Sequence, residues 1–263
     1  MSNWKNFESS SADYLNRSFG SYAQFINRGS SDSTTSDIEV TTKNGRFFYI
    51  EAKDCPAQCG QFVLFPNFET RTFEYSSRNV TEKNDFAISI INHMNRFFDE
   101  FKNTGTTGKE ISFANCSMIF ANWIIQAYKS KGVLFMITNN NTILPIDNIA
   151  SCFDITAKYR TKRSGSREIG TRNISVVSQY IRKHYSITKI FSEKGKLFVT
   201  SKQNLHEERF FISETEYMIS QRENQYEIRK LSNTFNANVI FSITLKADYC
   251  GLSNSEFISF LLK

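Results

Sequence analysis

Four ionisable side chains set the chemistry open to this chain of 263 residues: Asp37, Glu39, Glu51 and Lys53. Carboxylates are hard oxygen ligands for a divalent cation such as Mg²⁺, and a lysine beside them is a compact positive charge. With Mg²⁺ on Asp37, Glu51 and the Ala52 carbonyl, a bound water becomes more acidic and charge developing on phosphoryl oxygens is neutralised. Lys53 would then hold a scissile phosphate or steer the water, and Glu39 is a reserve ligand. Together these are the main requirements of phosphodiester hydrolysis. The alternative is an ordinary amphipathic hairpin, on which the three carboxylates are solvent-facing charges and Lys53 is their ion-pair partner.

Which of these holds depends on how the backbone presents the four residues. Ser36-Asp37-Ile38-Glu39-Val40 and Phe48-Tyr49-Ile50-Glu51-Ala52-Lys53 are strongly β-forming and flank Asn44-Gly45, a hairpin signal. A two-residue loop would set Ile38 opposite Glu51 and Val40 opposite Tyr49, mixing apolar and charged partners. A three-residue loop, Lys43-Asn44-Gly45 with Gly45 left-handed, pairs Ile38 with Ile50 and Val40 with Phe48 and gives one apolar face. That register sets Asp37 opposite Glu51, with Glu39 and Lys53 on the same face by the two-residue period of a strand. Like charges directly opposite destabilise a sheet, so a bound cation would have something to relieve. Arg46-Phe47-Phe48-Tyr49-Ile50 is apolar on both faces and reads as a central strand, which partly buries Glu51 and Lys53.

Asp37 followed by Glu51-Ala52-Lys53 resembles the PD-(D/E)XK nuclease superfamily, with Ser36 where the eponymous proline often sits. The resemblance covers roughly residues 11–65 by motif and the remainder by general plan. It implies catalytic roles for Asp37, Glu51 and Lys53, metal binding by Asp37, Glu51 and Ala52, and Mg²⁺ as the cofactor.

The densest positive charge lies at Lys158-Tyr159-Arg160-Thr161-Lys162-Arg163-Ser164-Gly165-Ser166-Arg167, followed by Arg172 and Arg182-Lys183, with Glu168 alone offsetting it. Ser-Gly-Ser reads as a loop. Arginine suits bidentate contacts to guanine or phosphate, and hydroxyls add donors. Lys158, Tyr159, Arg160, Lys162, Arg163, Ser166, Arg167 and Arg172 are therefore the candidate DNA contacts. A solvated surface loop is the plain alternative.

The whole chain is consistent with an anionic partner, since its net charge is +6 and its pI about 9.0. No stretch has the apolar length of a membrane helix, and Met1-Ser2-Asn3-Trp4-Lys5 lacks a signal-peptide core, so a cytoplasmic protein without membrane association is expected. Cys55, Cys59, Cys116, Cys152 and Cys250 have no zinc spacing and suit a reducing compartment. His93, His184 and His206 are too scattered for a metal cage or a Ser-His-Asp triad; His184, among basic residues, is a phosphate candidate. Gln58 and Gln61, in the turn-rich crossing after Lys53, are further candidates for a phosphate or a metal-bound water.

Helical spacing predicts a helix from Ser10 or Ser11 through Ile26 with Gly29 beyond it, a long helix from Thr81 through Phe101, and others over 115–131 and 173–184. Strands are expected at 61–65, 70–75, 133–138, 196–201, 209–213, 217–222, 225–231 and 239–246, with a tight turn at Glu223-Asn224. Ser253-x-x-Glu256 is a capping box opening a last helix. The element order is α/β, and the resemblance implies a restriction-endonuclease-like core of a central mixed sheet flanked by helices, with a β-rich C-terminal region. The division expected is a nuclease core over 1–150 and a recognition or dimerisation region over 151–263.

The reading as a whole is a Mg²⁺-dependent type II restriction endonuclease, cutting double-stranded DNA at a specific sequence. A palindromic target would imply a homodimer. The alternatives are a structure-specific repair or junction nuclease and, in another class, a DNA-binding protein without catalysis.

Overall fold

The computed structural model describes residues 3–29, 36–163, 165–248 and 251–263, except the side chains of residues 3–5 and of Arg163. Residues 30–35, Ser164 and Cys250 lie outside the described residues.

Helix α1 (Asn3–Phe19) stops well short of the expected Ile26. A Cβ at Gly20 would stand 2.4 Å from the Asn16 carbonyl oxygen, so a side chain is excluded where the helix ends. Strand β1 (Ala23–Asn27) follows, antiparallel to β2 (Ile38–Thr42). Ala23 and Phe25 are buried on alternate positions, a two-residue period that Tyr22, Phe25 and Ile26 masked as a helical one. Asn16 locks the two elements together, donating to the Phe25 carbonyl at 2.7 Å and accepting from the Phe25 amide at 3.2 Å.

Strand β3 (Phe47–Lys53) pairs with β2 in the register a three-residue loop requires, Ile38 with Ile50 and Val40 with Phe48. Gly45 has φ +83°, the left-handed conformation expected at that position. Then come β4 (Ala57–Asn67), which begins earlier than expected, and β5 (Thr72–Tyr75). The long helix expected from Thr81 is two. α2 (Asp85–Arg96) is capped by Asn84, and the backbone breaks at Phe97 (φ −111°, ψ 37°) before the single turn α3 (Phe98–Phe101). Strand β6 (Lys109–Glu110), helix α4 (Cys116–Lys129), strands β7 (Val133–Thr138) and β8 (Thr142–Pro145), and helix α5 (Ile149–Cys152) complete the first half.

The basic segment is mostly strand rather than loop: β9 (Phe153–Arg163) and β10 (Ser166–Glu168) contain it. Helix α6 (Ile174–His184) leads to strands β11 (Lys189–Glu193), β12 (Lys196–Thr200), β13 (Arg209–Ile212), β14 (Thr215–Arg222), β15 (Gln225–Leu231) and β16 (Phe235–Leu245). Helix α7 (Asn254–Leu262) closes the chain behind the expected capping box, with Ser253 and Glu256 bonding reciprocally.

Two compact units result, one holding the chain to Arg160 together with Ala237–Lys263 and the other Thr161–Asn236. The expected boundary at residue 150 is thus displaced, and the C-terminal region is divided. The reason is strand order: β16 lies between β4 and β9 in the sheet β5-β4-β16-β9-β6, so it is an interior strand of the first unit.

The first unit's other sheet runs β1-β2-β3-β7-β8, and β3 is antiparallel to β2 but parallel to β7. It is a central mixed sheet with apolar layers on both faces. On one, α1 and α7 pack over Ile38, Val40, Phe48, Ile50 and Phe135. On the other, α4 contributes Trp123, stacked on Phe241 of β16 at 4.6 Å. In the second unit α6 lays Val177 and Ile181 against Leu197, Val199, Ile219 and Ile228 of the sheet β11-β12-β15-β14-β13. Arg222 pairs with Gln225, leaving Glu223 and Asn224 as the expected tight turn. No described helix is long and apolar enough to cross a membrane.

The Asn16 bridge has a measurable cost of removal. Asn16→Ala strands both polar groups of Phe25 and should lower unfolding free energy by about 1–3 kcal/mol in denaturant titration, whereas Ser10→Ala on the exposed face should change it little.

Candidate active site

The end of β3 brings Asp37, Glu51 and Lys53 into contact. Lys53 Nζ stands 2.6 Å from Glu51 Oε1 and 3.8 Å from Asp37 Oδ2. Asp37 lies just before β2, and its Oδ2 accepts the Ala52 amide at 2.9 Å, which ties it to the backbone beside Glu51. Glu51 is only 7% exposed, because β3 is interior to the sheet and α4 covers that face. The picture of freely solvated hairpin charges does not describe these three residues.

Burial raises the Asp37 acid from the ordinary 3.8 to about 7, and the neighbouring Glu51 charge pushes in the same direction. Lys53 and the Ala52 amide oppose this without cancelling it. At Lys53, burial disfavours the charge, but Glu51 and Asp37 outweigh it and hold the pKa above the usual lysine value. Lys53 is therefore an ammonium at every working pH, a donor and a charge rather than a base.

Glu39 stands apart from this cluster. Its carboxylate is engaged by Arg28, whose Nε and Nη2 donate at 3.1 and 3.3 Å. Glu8 of α1 does reach the neighbourhood: it is 8% exposed, and its charge adds to the upward shift of Asp37.

A cleft of about 530 Å³ opens on Glu51 and Lys53, and its walls include Gln58, Gln61, Arg78 and Lys131. Gln58 and Gln61 lie on β4 and bond to each other at 3.3 Å. Arg78 and Lys131 are cleft cations that spacing along the chain did not single out. Nor did it reveal Tyr128 on α4, whose hydroxyl donates to Glu51 Oε1 at 3.1 Å. All three belong to segments far from the motif in sequence, so only the folded chain brings them there.

The buried Glu51 and the partly buried Asp37 repel each other, and together with the Ala52 carbonyl they are an all-oxygen set of candidate donors. This fits Mg²⁺, which takes one or two carboxylates and keeps several waters. Among the described residues no group of three or more His, Cys, Asp or Glu side chains is placed to hold a metal ion, so this donor set has two side-chain carboxylates.

The candidate DNA contacts fare unevenly. Lys158, Lys162, Arg167 and Arg172 are exposed. Tyr159 is not available: alternation along β9 turns it inward, where it is fully buried, packs edge-on to Phe73 and donates to the Leu64 carbonyl at 3.2 Å. Arg160 is half-buried, and Ser166 is occupied structurally, its Oγ accepting from Arg229 Nε at 2.7 Å. Arg163 has no described side chain. His184 stacks on Tyr180 at 4.2 Å.

No family model matches the chain, and no curated protein does. Among solved structures, HhaI endonuclease in complex with DNA aligns over 99% of each chain, at 38% identity and a TM-score of 0.81. Identity of that level over full length, spanning both the sheet that carries Asp37, Glu51 and Lys53 and the β-rich second unit, leaves one assignment: the chain belongs to the HhaI endonuclease family.

Proposed function

We propose that this chain is a Mg²⁺-dependent type II restriction endonuclease of the PD-(D/E)XK kind, hydrolysing double-stranded DNA at a specific sequence. The observation that carries the proposal is the meeting of Asp37, Glu51 and Lys53 at one end of the central strand. The kinship with HhaI endonuclease, whose structure contains DNA, supports the substrate.

In this reading Asp37, Glu51 and the Ala52 carbonyl hold Mg²⁺. When bound, the ion supplies charge neutralisation at the phosphoryl oxygens and an acidified water. The ammonium of Lys53 remains charged throughout and donates to a non-bridging phosphate oxygen or to the attacking water. The Ala52 amide keeps Asp37 in place while this happens. Gln58, Arg78 and Lys131 line the approach, where amide and cationic donors meet the DNA backbone. Lys158, Arg160, Lys162, Arg163, Arg167 and Arg172 add contacts to DNA, and a palindromic target would be read by a homodimer.

The decisive experiment incubates the protein with long duplex DNAs in Mg²⁺ or EDTA, beside Lys53→Ala. Discrete fragments formed only with Mg²⁺ are expected, with the variant slower by about 10²-fold or more. Salt-sensitive DNA binding with no cleavage of duplex or branched DNA would leave a binding protein instead.

For the basic residues, Lys162→Ala and Arg167→Ala should each reduce the slope of log affinity against log salt by about 1, measured by anisotropy with duplex DNA. Tyr159→Phe should leave that slope unchanged.

The acid shift at Asp37 has a definite sign. Below pH 4 the group is protonated both folded and unfolded; between there and about 7 the folded state alone keeps the proton, so stability falls as pH rises through that window. Asp37→Asn keeps an oxygen for the Ala52 amide and removes the charge. In EDTA at pH 8 it should be more stable than the native chain by roughly 1–3 kcal/mol, at about 1.4 kcal/mol per pKa unit less solvent screening, and equal to it near pH 4. Thermal melts at both pH values check this.

A further inference from the structure

Behind the carboxylates lies a buried chain of donors that the reaction as described does not use. Tyr128, on the last turn of α4, is almost wholly enclosed, and its hydroxyl stands 3.1 Å from Glu51 Oε1. The same hydroxyl accepts from the Cys59 thiol of β4 at 3.6 Å. Burial pushes the Cys59 thiol up to about 12 and the Tyr128 phenol well above its ordinary value, so both keep their protons. The direction of the chain is then fixed, from sulfur to phenol to carboxylate.

Lys53 Nζ also approaches Oε1, at 2.6 Å. Among the described residues both side-chain donors to Glu51 therefore fall on one oxygen, which leaves Oε2 as the oxygen open to a ligand. The terminal torsion of a glutamate is broad and only loosely restrained by itself. Two donors converging on Oε1 from different elements, β3 and α4, restrict that rotation.

We propose that Tyr128 is a positioning residue for divalent-cation binding: by holding Oε1 of Glu51 it presents Oε2 to the cation, and Cys59 keeps the phenol proton directed at the carboxylate. The proposal rests on the reading of Asp37 and Glu51 as cation ligands. If Tyr128 only filled the core, its hydroxyl would matter to stability and not to the ion.

Tyr128→Phe separates these roles, because the ring stays and the hydroxyl goes. With the full chain free of DNA, Mn²⁺ binding is measured by calorimetry at fixed pH, and melting in EDTA reports on packing. The expected result is a Mn²⁺ dissociation constant raised by about 10-fold or more, the range found when outer-shell partners of metal ligands are removed. The Mg²⁺ concentration for half-maximal DNA cleavage should rise in parallel. A lower melting temperature with unchanged Mn²⁺ affinity overturns the proposal. Should Tyr128→Phe fail to fold, Cys59→Ala decides the same question: affinity weakened a few-fold supports the relay, and unchanged affinity overturns it. If the native chain itself binds no Mn²⁺ and cuts no DNA with Mg²⁺, the ligand reading of Asp37 and Glu51 fails, and this inference falls with it.

Discussion

Electrostatic repulsion between Asp37 and Glu51 is the tension around which the site is arranged. The hairpin register that gives β2 and β3 a continuous apolar face also places these two acids near each other, at a point where β7 and α4 deny them bulk water. Either benefit comes only with the other. Lys53 offsets part of the cost and the Ala52 amide another part, and what remains raises the Asp37 acid to about 7. A sheet optimised only for stability would place apolar residues here, so the cluster is a local cost that the surrounding core does not share.

The residues around that pair fall into layers. Asp37, Glu51 and Lys53 form the contact layer; Tyr128 and Cys59 lie behind Glu51 in the core; Arg78, Lys131 and Gln58 line the open side. Each layer comes from a different part of the sequence. The hairpin supplies the first, α4 and β4 the second, and loops next to those elements much of the third.

That origin explains what could be read in advance. Hairpin register follows from a period of two and one glycine, both local, so the pairing of Ile38 with Ile50 and the left-handed Gly45 were legible. Most strands of the C-terminal region and the helices over 115–131 and 173–184 were legible from their periods, whereas the mixed central sheet was expected from the family resemblance. Beyond that reach, local signals misled. Tyr22, Phe25 and Ile26 fit both periods, and only pairing with β2 and the Asn16 bridge select the strand. Tyr159 sits among cations, yet alternation along β9 commits it to the core. Tyr128 lies within the helix expected over 115–131, and its contact with Glu51 is one that no sequence period encodes.

The interleaving of the first unit also bears on how the protein is made. Because β16 occupies the place between β4 and β9, and α7 covers the face of the sheet that α1 begins to cover, that unit lacks an interior strand until residues 235–245 have been synthesised. The second unit, encoded in one continuous stretch, can close first on the ribosome. The first unit thus closes only when residues on either side of the second unit in sequence have come together.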